Sequence, residues 1–153
     1  MSFLLLLNEK DTAGIMSQLS KFETEIDRAE PLFKIEGMRL ELICRDLPHH
    51  ICRYKQLLQE AKAFEDWLTS KRDKTDSKLW KQYNEKYTRS LTTRDIQAYI
   101  GGEPEHVAWT ELILEATHAK NKLGAICDAF EAMHWMAGNM VKLRVAEVQD
   151  AIV

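Results

Sequence analysis

Apolar side chains recur along this chain at alternating steps of three and four residues, the period of a helix with one buried stripe. After Asp11-Thr12, the residues Ile15, Leu19, Phe22, Ile26 and Ala29 follow in that rhythm, and Pro31 closes the run. A second run opens near Ile35 and continues through Leu40, Cys44, Leu47, Ile51, Tyr54, Leu58 and Ala61, with Phe64 and Leu68 extending it. Pro48 lies inside this run. Either the helix bends there, or it stops and restarts with Asp46 as N-cap and Pro48 in the first turn. The unbroken phase favours a bend, or two nearly collinear helices. Ser70 to Ser77 is polar throughout and reads as a loop or frayed end.

Helical spacing returns at Leu79, Trp80, Tyr83 and Tyr87. Thr92-Thr93-Arg94-Asp95 then has the form of a capping box, with Asp in place of the usual Glu. It opens a short helix through Ile96, Tyr99 and Ile100, and Gly101-Gly102 ends it. Pro104 suits the first turn of the last helix. There Trp109, Leu112, Ala116, Ala119, Leu123, Ile126, Phe130, Met133, Ala137 and Met140 keep the three-four rhythm without a break. Roughly 30 residues at about 1.5 Å each make a rod near 45 Å. Such a rod needs a partner of similar length, from this chain or from another copy. Gly138 is expected to end or bend it, and Val141 to Val153 forms a short apolar tail.

The expected fold is therefore all-α: long helical hairpins with coiled-coil-like seams, homo-oligomeric through Trp109, Leu112, Leu123, Ile126, Phe130 and Met133. The chain divides into an N-terminal helix (1–31), a helical core (32–144) with a basic middle (71–94), and the apolar tail (145–153). Composition agrees: 6 Gly and 3 Pro in 153 residues are too few turn-formers for a Rossmann-type enzyme or a β-sandwich. A hydrophobic fraction of 45% beside 29% charged residues excludes wholesale disorder. The longest wholly apolar run, Phe3 to Leu7, is five residues, whereas a membrane span needs about 20. The start also lacks the basic residues and long apolar stretch of a signal peptide. Three sparse cysteines, Cys44, Cys52 and Cys127, make no disulfide framework, so a reducing, cytoplasmic location is expected.

Charge changes the picture more. Lys71 to Arg94 holds eight basic residues against three acidic ones, a net of +5, so the rest of the chain carries −8 of the total −3. A basic middle on an acidic chain points to one localised anionic partner. Lys71, Arg72, Lys74, Lys78, Lys81, Lys86 and Arg89 interleave with Trp80, Tyr83 and Tyr87. Cations neutralise phosphates, and aromatic faces stack on unpaired bases, so this segment is a candidate nucleic-acid site. The competing reading is a solvated helix whose aromatics pack inward.

Candidate chemistry is thin. No Gly-x-Gly-x-x-Gly and no phosphate-loop motif occurs. Cys44, His49, His50 and Cys52 lack the tight cysteine pair of a zinc site, and Cys44 on the stripe reads as a core cysteine. Glu115 and His118, and again Glu131 and His134, have the Glu-x-x-His spacing of helical di-metal sites, but both sit on one helix, 16 residues apart. A solvated face accounts for them. No catalytic residue, metal or cofactor is expected.

The order of features resembles the UvsY-type recombination mediators of tailed phages. Leu32-Phe33-Lys34-Ile35 leads into Leu40-Glu41 and a Leu- and Lys-rich helix with Leu47, Tyr54 and Lys55. A basic stretch with tyrosines, Lys78 to Tyr87, follows, and then the long helix with Leu112, Ile113, Leu114, Leu123 and Ile126, closing at Gly138 and Arg144. The likeness covers Leu32 to Arg144 and rests on residue pattern and element order. The apolar leader and the helix from Thr12 to Ala29 differ from the shorter family start. The resemblance implies a non-enzymatic protein that binds single-stranded DNA and assembles into a ring-like oligomer. It implies displacement of single-strand-binding protein and loading of a phage recombinase, in DNA recombination and repair. It also implies DNA contacts just after the first long helix, corresponding to Lys71–Lys81. Two other readings remain: a helical structural or chaperone-like adaptor that binds only proteins, and a small helical metalloenzyme using Glu115 and His118.

Overall fold

The computed structural model describes residues 12–86 and 90–146. Four α-helices carry it: α1 (Thr12–Asp27), α2 (Leu40–Lys86), α3 (Thr93–Gly101) and α4 (Pro104–Val145), with a 3-10 turn at Glu30–Phe33 after α1. No strand occurs among the described residues, and no helix there is long and apolar enough to cross a membrane. The all-α expectation holds.

Helix boundaries follow local chemistry. α1 begins where the spacing predicts and ends four residues before Pro31, which falls in the 3-10 turn. α2 starts at Leu40, later than Ile35, because Gly37 adopts a φ of +74°, a left-handed conformation that breaks any helix before it. Pro48 sits inside α2 without interrupting it. Pro48 and Cys44, whose carbonyl loses its donor, are both exposed, so solvent can take that carbonyl. The loop expected at Ser70–Ser77 is instead helix. That stretch contains no Gly or Pro, and its Arg72, Thr75 and Asp76 are half-buried, so it is covered without a single large apolar residue. Ser77 Oγ donates back to the Asp73 carbonyl at 2.9 Å, four residues earlier on the same helix. Gly138 neither ends nor interrupts α4, which runs to Val145. A helical glycine is tolerated at about 1 kcal/mol where neighbours are packed, and Ala137 beside it is buried.

The chain folds as two compact units, and α1, α2 and α4 each contribute to both. The first holds residues up to Leu19 together with Ala61–His118. Ile15, Phe64, Leu68, Ile96 and Ala116 are almost fully buried there. Its parts of α2 and α4 run antiparallel: Thr117 Oγ1 donates to Glu65 at 2.5 Å, and His106 Nδ1 meets Asp76 at 2.8 Å. The second holds Ser20–Glu60 together with the chain from Ala119. Its core centres on Phe130, with ring centroids of Phe33, Tyr54 and His50 at 4.5, 5.2 and 5.8 Å. Here too α2 and α4 are antiparallel, with Lys55–Glu131 at 2.6 Å and Glu41–Arg144 at 3.5 Å.

The buried face of α2 corrects the expected stripe. Leu40, Leu47, Tyr54, Ala61, Phe64 and Leu68 are buried as predicted, but the intervening positions are Ile43 and Leu57. Cys44 is exposed, and Ile51 and Leu58 are half-buried. At Cys44 and Leu58 the buried contact falls one residue earlier, so Cys44 is not a core cysteine; Cys127 is.

Candidate nucleic-acid interface

The basic segment falls in the first unit, on the last four turns of α2. Burial there follows the helical period: Arg72, Thr75, Asp76, Leu79, Trp80 and Tyr83 are half-buried, while Lys74, Lys78, Lys81 and Lys86 are exposed. Lys71, Lys74, Lys78 and Lys81 step by three, four and three residues. At about 100° per residue they occupy one face of the helix, with successive Cα atoms about 4.5–6 Å apart along the axis. Lys71 Nζ lies 5.2 Å from the Trp67 ring centroid, a cation–π contact at the start of this row. Trp67 is itself held by Phe64, at 6.3 Å and nearly parallel, and by Trp109, at 6.4 Å and edge-on. Arg72 leaves the row: it is half-buried, and its guanidinium bonds Asp73 at 3.1 Å.

The predicted aromatics lie elsewhere. Trp80 and Tyr83 belong to the covered side of α2, about a third to a half turn round from the lysines. The Tyr83 hydroxyl donates to the Glu103 carboxylate, and its ring stacks on Tyr99 at 5.6 Å and 17°. Lys86 is exposed in the last turn of α2. Tyr87 and Arg89 lie outside the described residues, as does the apolar tail beyond Ala146.

Beside the lysine row, a cleft of about 550 Å³ opens among α2, α3 and the start of α4. Trp80 and Ile100 give it apolar walls; Lys81 and Gln97 are exposed on its rim, and the Asp76–His106 pair lines one side. The capping box builds this geometry: Thr92 Oγ1 accepts from Asp95 N at 3.2 Å, and Asp95 accepts from Thr92 N at 3.2 Å. That fixes where α3 begins, and Gly102 caps its end, its N–H reaching the Tyr99 carbonyl at 3.1 Å. α4 restarts two residues later, which returns His106 to Asp76. Asp76, Gln97 and His106 were not expected as site residues, because a pair 30 residues apart leaves no mark in local spacing.

Of the expected self-association residues, Leu123 and Phe130 are wholly buried in the second unit and Met133 nearly so, while Trp109, Leu112 and Ile126 are half-buried. The large apolar side chains exposed on α4 are others: Val107 and Leu114 in the first unit, and Trp135, Met136, Met140, Val141, Leu143 and Val145 in the second. Trp135 is 71% exposed. Glu131 pairs with Lys55, whose ammonium holds its carboxyl below the usual range. Among the described residues, no group of three His, Cys, Asp or Glu stands close enough to hold a metal ion. No family model matches this chain, and neither a curated protein nor a solved structure does.

Proposed function

We propose that this chain is a single-stranded-DNA-binding recombination mediator of the kind its sequence resembles, acting in the cytoplasm by binding rather than catalysis. The observation that carries the reading is the lysine row of α2, the exposed Lys74, Lys78 and Lys81 with the half-buried Lys71 at its start, on a chain that is otherwise acidic. A chain of net charge −3 has no general attraction for polyanions. A linear set of cations spaced like this one attracts a linear anion and releases its counterions. Several copies would each add a few such contacts, so affinity would grow by multivalency. A strand held along an assembly of copies would be stripped of single-strand-binding protein and offered, extended, to the recombinase.

The exposed apolar side chains near the end of α4 support self-association, with Trp135, Met136, Met140 and Leu143 as the contact residues. The same observation favours the second reading, an adaptor that binds only proteins. Fluorescence anisotropy of a labelled single-stranded oligonucleotide, at low and high salt and against a duplex, separates the two. The mediator reading expects salt-sensitive binding that favours the single strand. No binding at low salt would overturn it and leave the adaptor.

A further inference from the structure

We infer that the cleft beside Trp80 is a nucleotide subsite, which takes one base of the bound strand while Lys81 holds the adjoining phosphate; this rests on the strand-binding reading. Three observations combine. The cleft's volume of about 550 Å³ is within the range of small-ligand sites and well above one base. Its chemistry is that of a nucleotide: an indole and Ile100 to cover the base faces, the Gln97 amide to bond a base edge, and a cation at the rim. Finally, Lys81 belongs both to the cleft and to the lysine row, so a backbone following the row passes the cleft mouth.

The walls are held in place without the ligand. His106 Nδ1 lies 2.8 Å from Asp76, and Thr110 Oγ1 bonds the His106 carbonyl at 2.9 Å, which fixes the α4 side. The Thr92–Asp95 box fixes the α3 side. A preformed slot spends little ordering entropy on each base it takes. The row alone would bind phosphates whatever the bases; the cleft makes binding depend on a base being present.

The test uses the full chain and two labelled strands of equal length, an oligothymidylate and one whose bases are all replaced by abasic residues. Wild type should bind the oligothymidylate about ten-fold more tightly, the stacking worth of one base. Trp80→Ala should lower oligothymidylate affinity to the abasic level and leave abasic affinity unchanged, while Trp80→Phe keeps most of the difference. Gly101→Leu guards against a folding failure at Trp80. Gly101 lines the cleft, and a Cβ there meets nothing within 4 Å, so a leucine can be placed at the cleft wall without a clash at its Cβ and narrows the slot. It should abolish the base dependence as Trp80→Ala does. Equal binding of both strands by wild type, or base dependence surviving in both variants, would overturn the subsite while leaving the lysine row standing. Failure to bind either strand at low salt would overturn the strand-binding reading itself.

Discussion

Replacing Lys74, Lys78 and Lys81 with glutamine removes three charges from one exposed helix face and nothing from the core. Glutamine and lysine have similar helix propensities, and exposed substitutions of this sort stay within about 0.5 kcal/mol, so the fold should be unchanged. On single strands each neutralised phosphate contributes about −0.7 to the slope of log affinity against log salt. Three lysines thus account for about two units of slope per engaged protomer. Between 50 and 200 mM salt, two units correspond to roughly a twenty-fold loss of affinity in wild type that the variant should not show. Anisotropy titrations at four or five salt concentrations measure both slopes, and circular dichroism checks the helix content. The matched control is Lys62, Lys122 and Lys142 to glutamine, three exposed lysines outside the row. A slope unchanged in the row variant would refute the assignment. So would a control that flattens the slope equally, because net charge rather than the row would then set the binding.

Two further predictions concern stability. Phe130→Ala empties the centre of the second unit, where the ring is fully buried against Phe33, Tyr54 and His50, and should lose about 3–5 kcal/mol in urea unfolding. Tyr54, also buried, donates its hydroxyl to the Glu25 carbonyl at 2.9 Å, so Tyr54→Phe should lose about 1 kcal/mol. Burial first, and the nearby Glu25 carboxylate second, push the Tyr54 phenol above its usual range. A raised folded-state value means this contribution is complete below the unfolded phenol's pKa, about 10, and fades as pH climbs beyond it. Wild type should therefore lose stability above about pH 10 more steeply than the phenylalanine variant; parallel pH profiles would refute the attribution.

Elements with their own punctuation could be read directly. Thr92 and Asp95 mark the start of α3 and Gly101-Gly102 its end, and both hold to the residue because capping is a local hydrogen-bond matter. The stripe of α1 is legible at Ile15, Leu19 and Phe22, the last two set between polar neighbours, but at Ile26 it is Glu25, one residue earlier, that is buried. α2 resists such reading at two places. Leu42-Ile43-Cys44 and Leu57-Leu58 each offer adjacent apolar residues, so spacing alone cannot say which one is buried. And Ser70–Ser77 carries no large apolar residue, although its half-buried Arg72, Thr75 and Asp76 keep the helical period. There the covering is supplied by side chains that sequence patterns score as polar.

The site shows the same limit in a sharper form. Along the chain, Lys78, Trp80, Lys81 and Tyr83 alternate cation and ring, the pattern of a strand-binding platform. On a helix, residues two apart point about 200° from each other, so neighbours in sequence become opposites in space. The lysines of this segment face solvent, whereas Trp80 and Tyr83 turn toward α3 and α4: Tyr83 stacks on Tyr99, and Trp80 lines the cleft beside Gln97 and His106. A flat surface of alternating charge and ring is therefore not what this helix presents. It presents a lysine face and, around its side, the cleft lined by Trp80, and Lys81 is the residue at which the two meet. On the proposed reading, that arrangement separates the work of holding a strand from that of sensing its bases. It is why removing charge and removing the ring should leave different signatures, one in the salt slope and the other in the difference between the two strands.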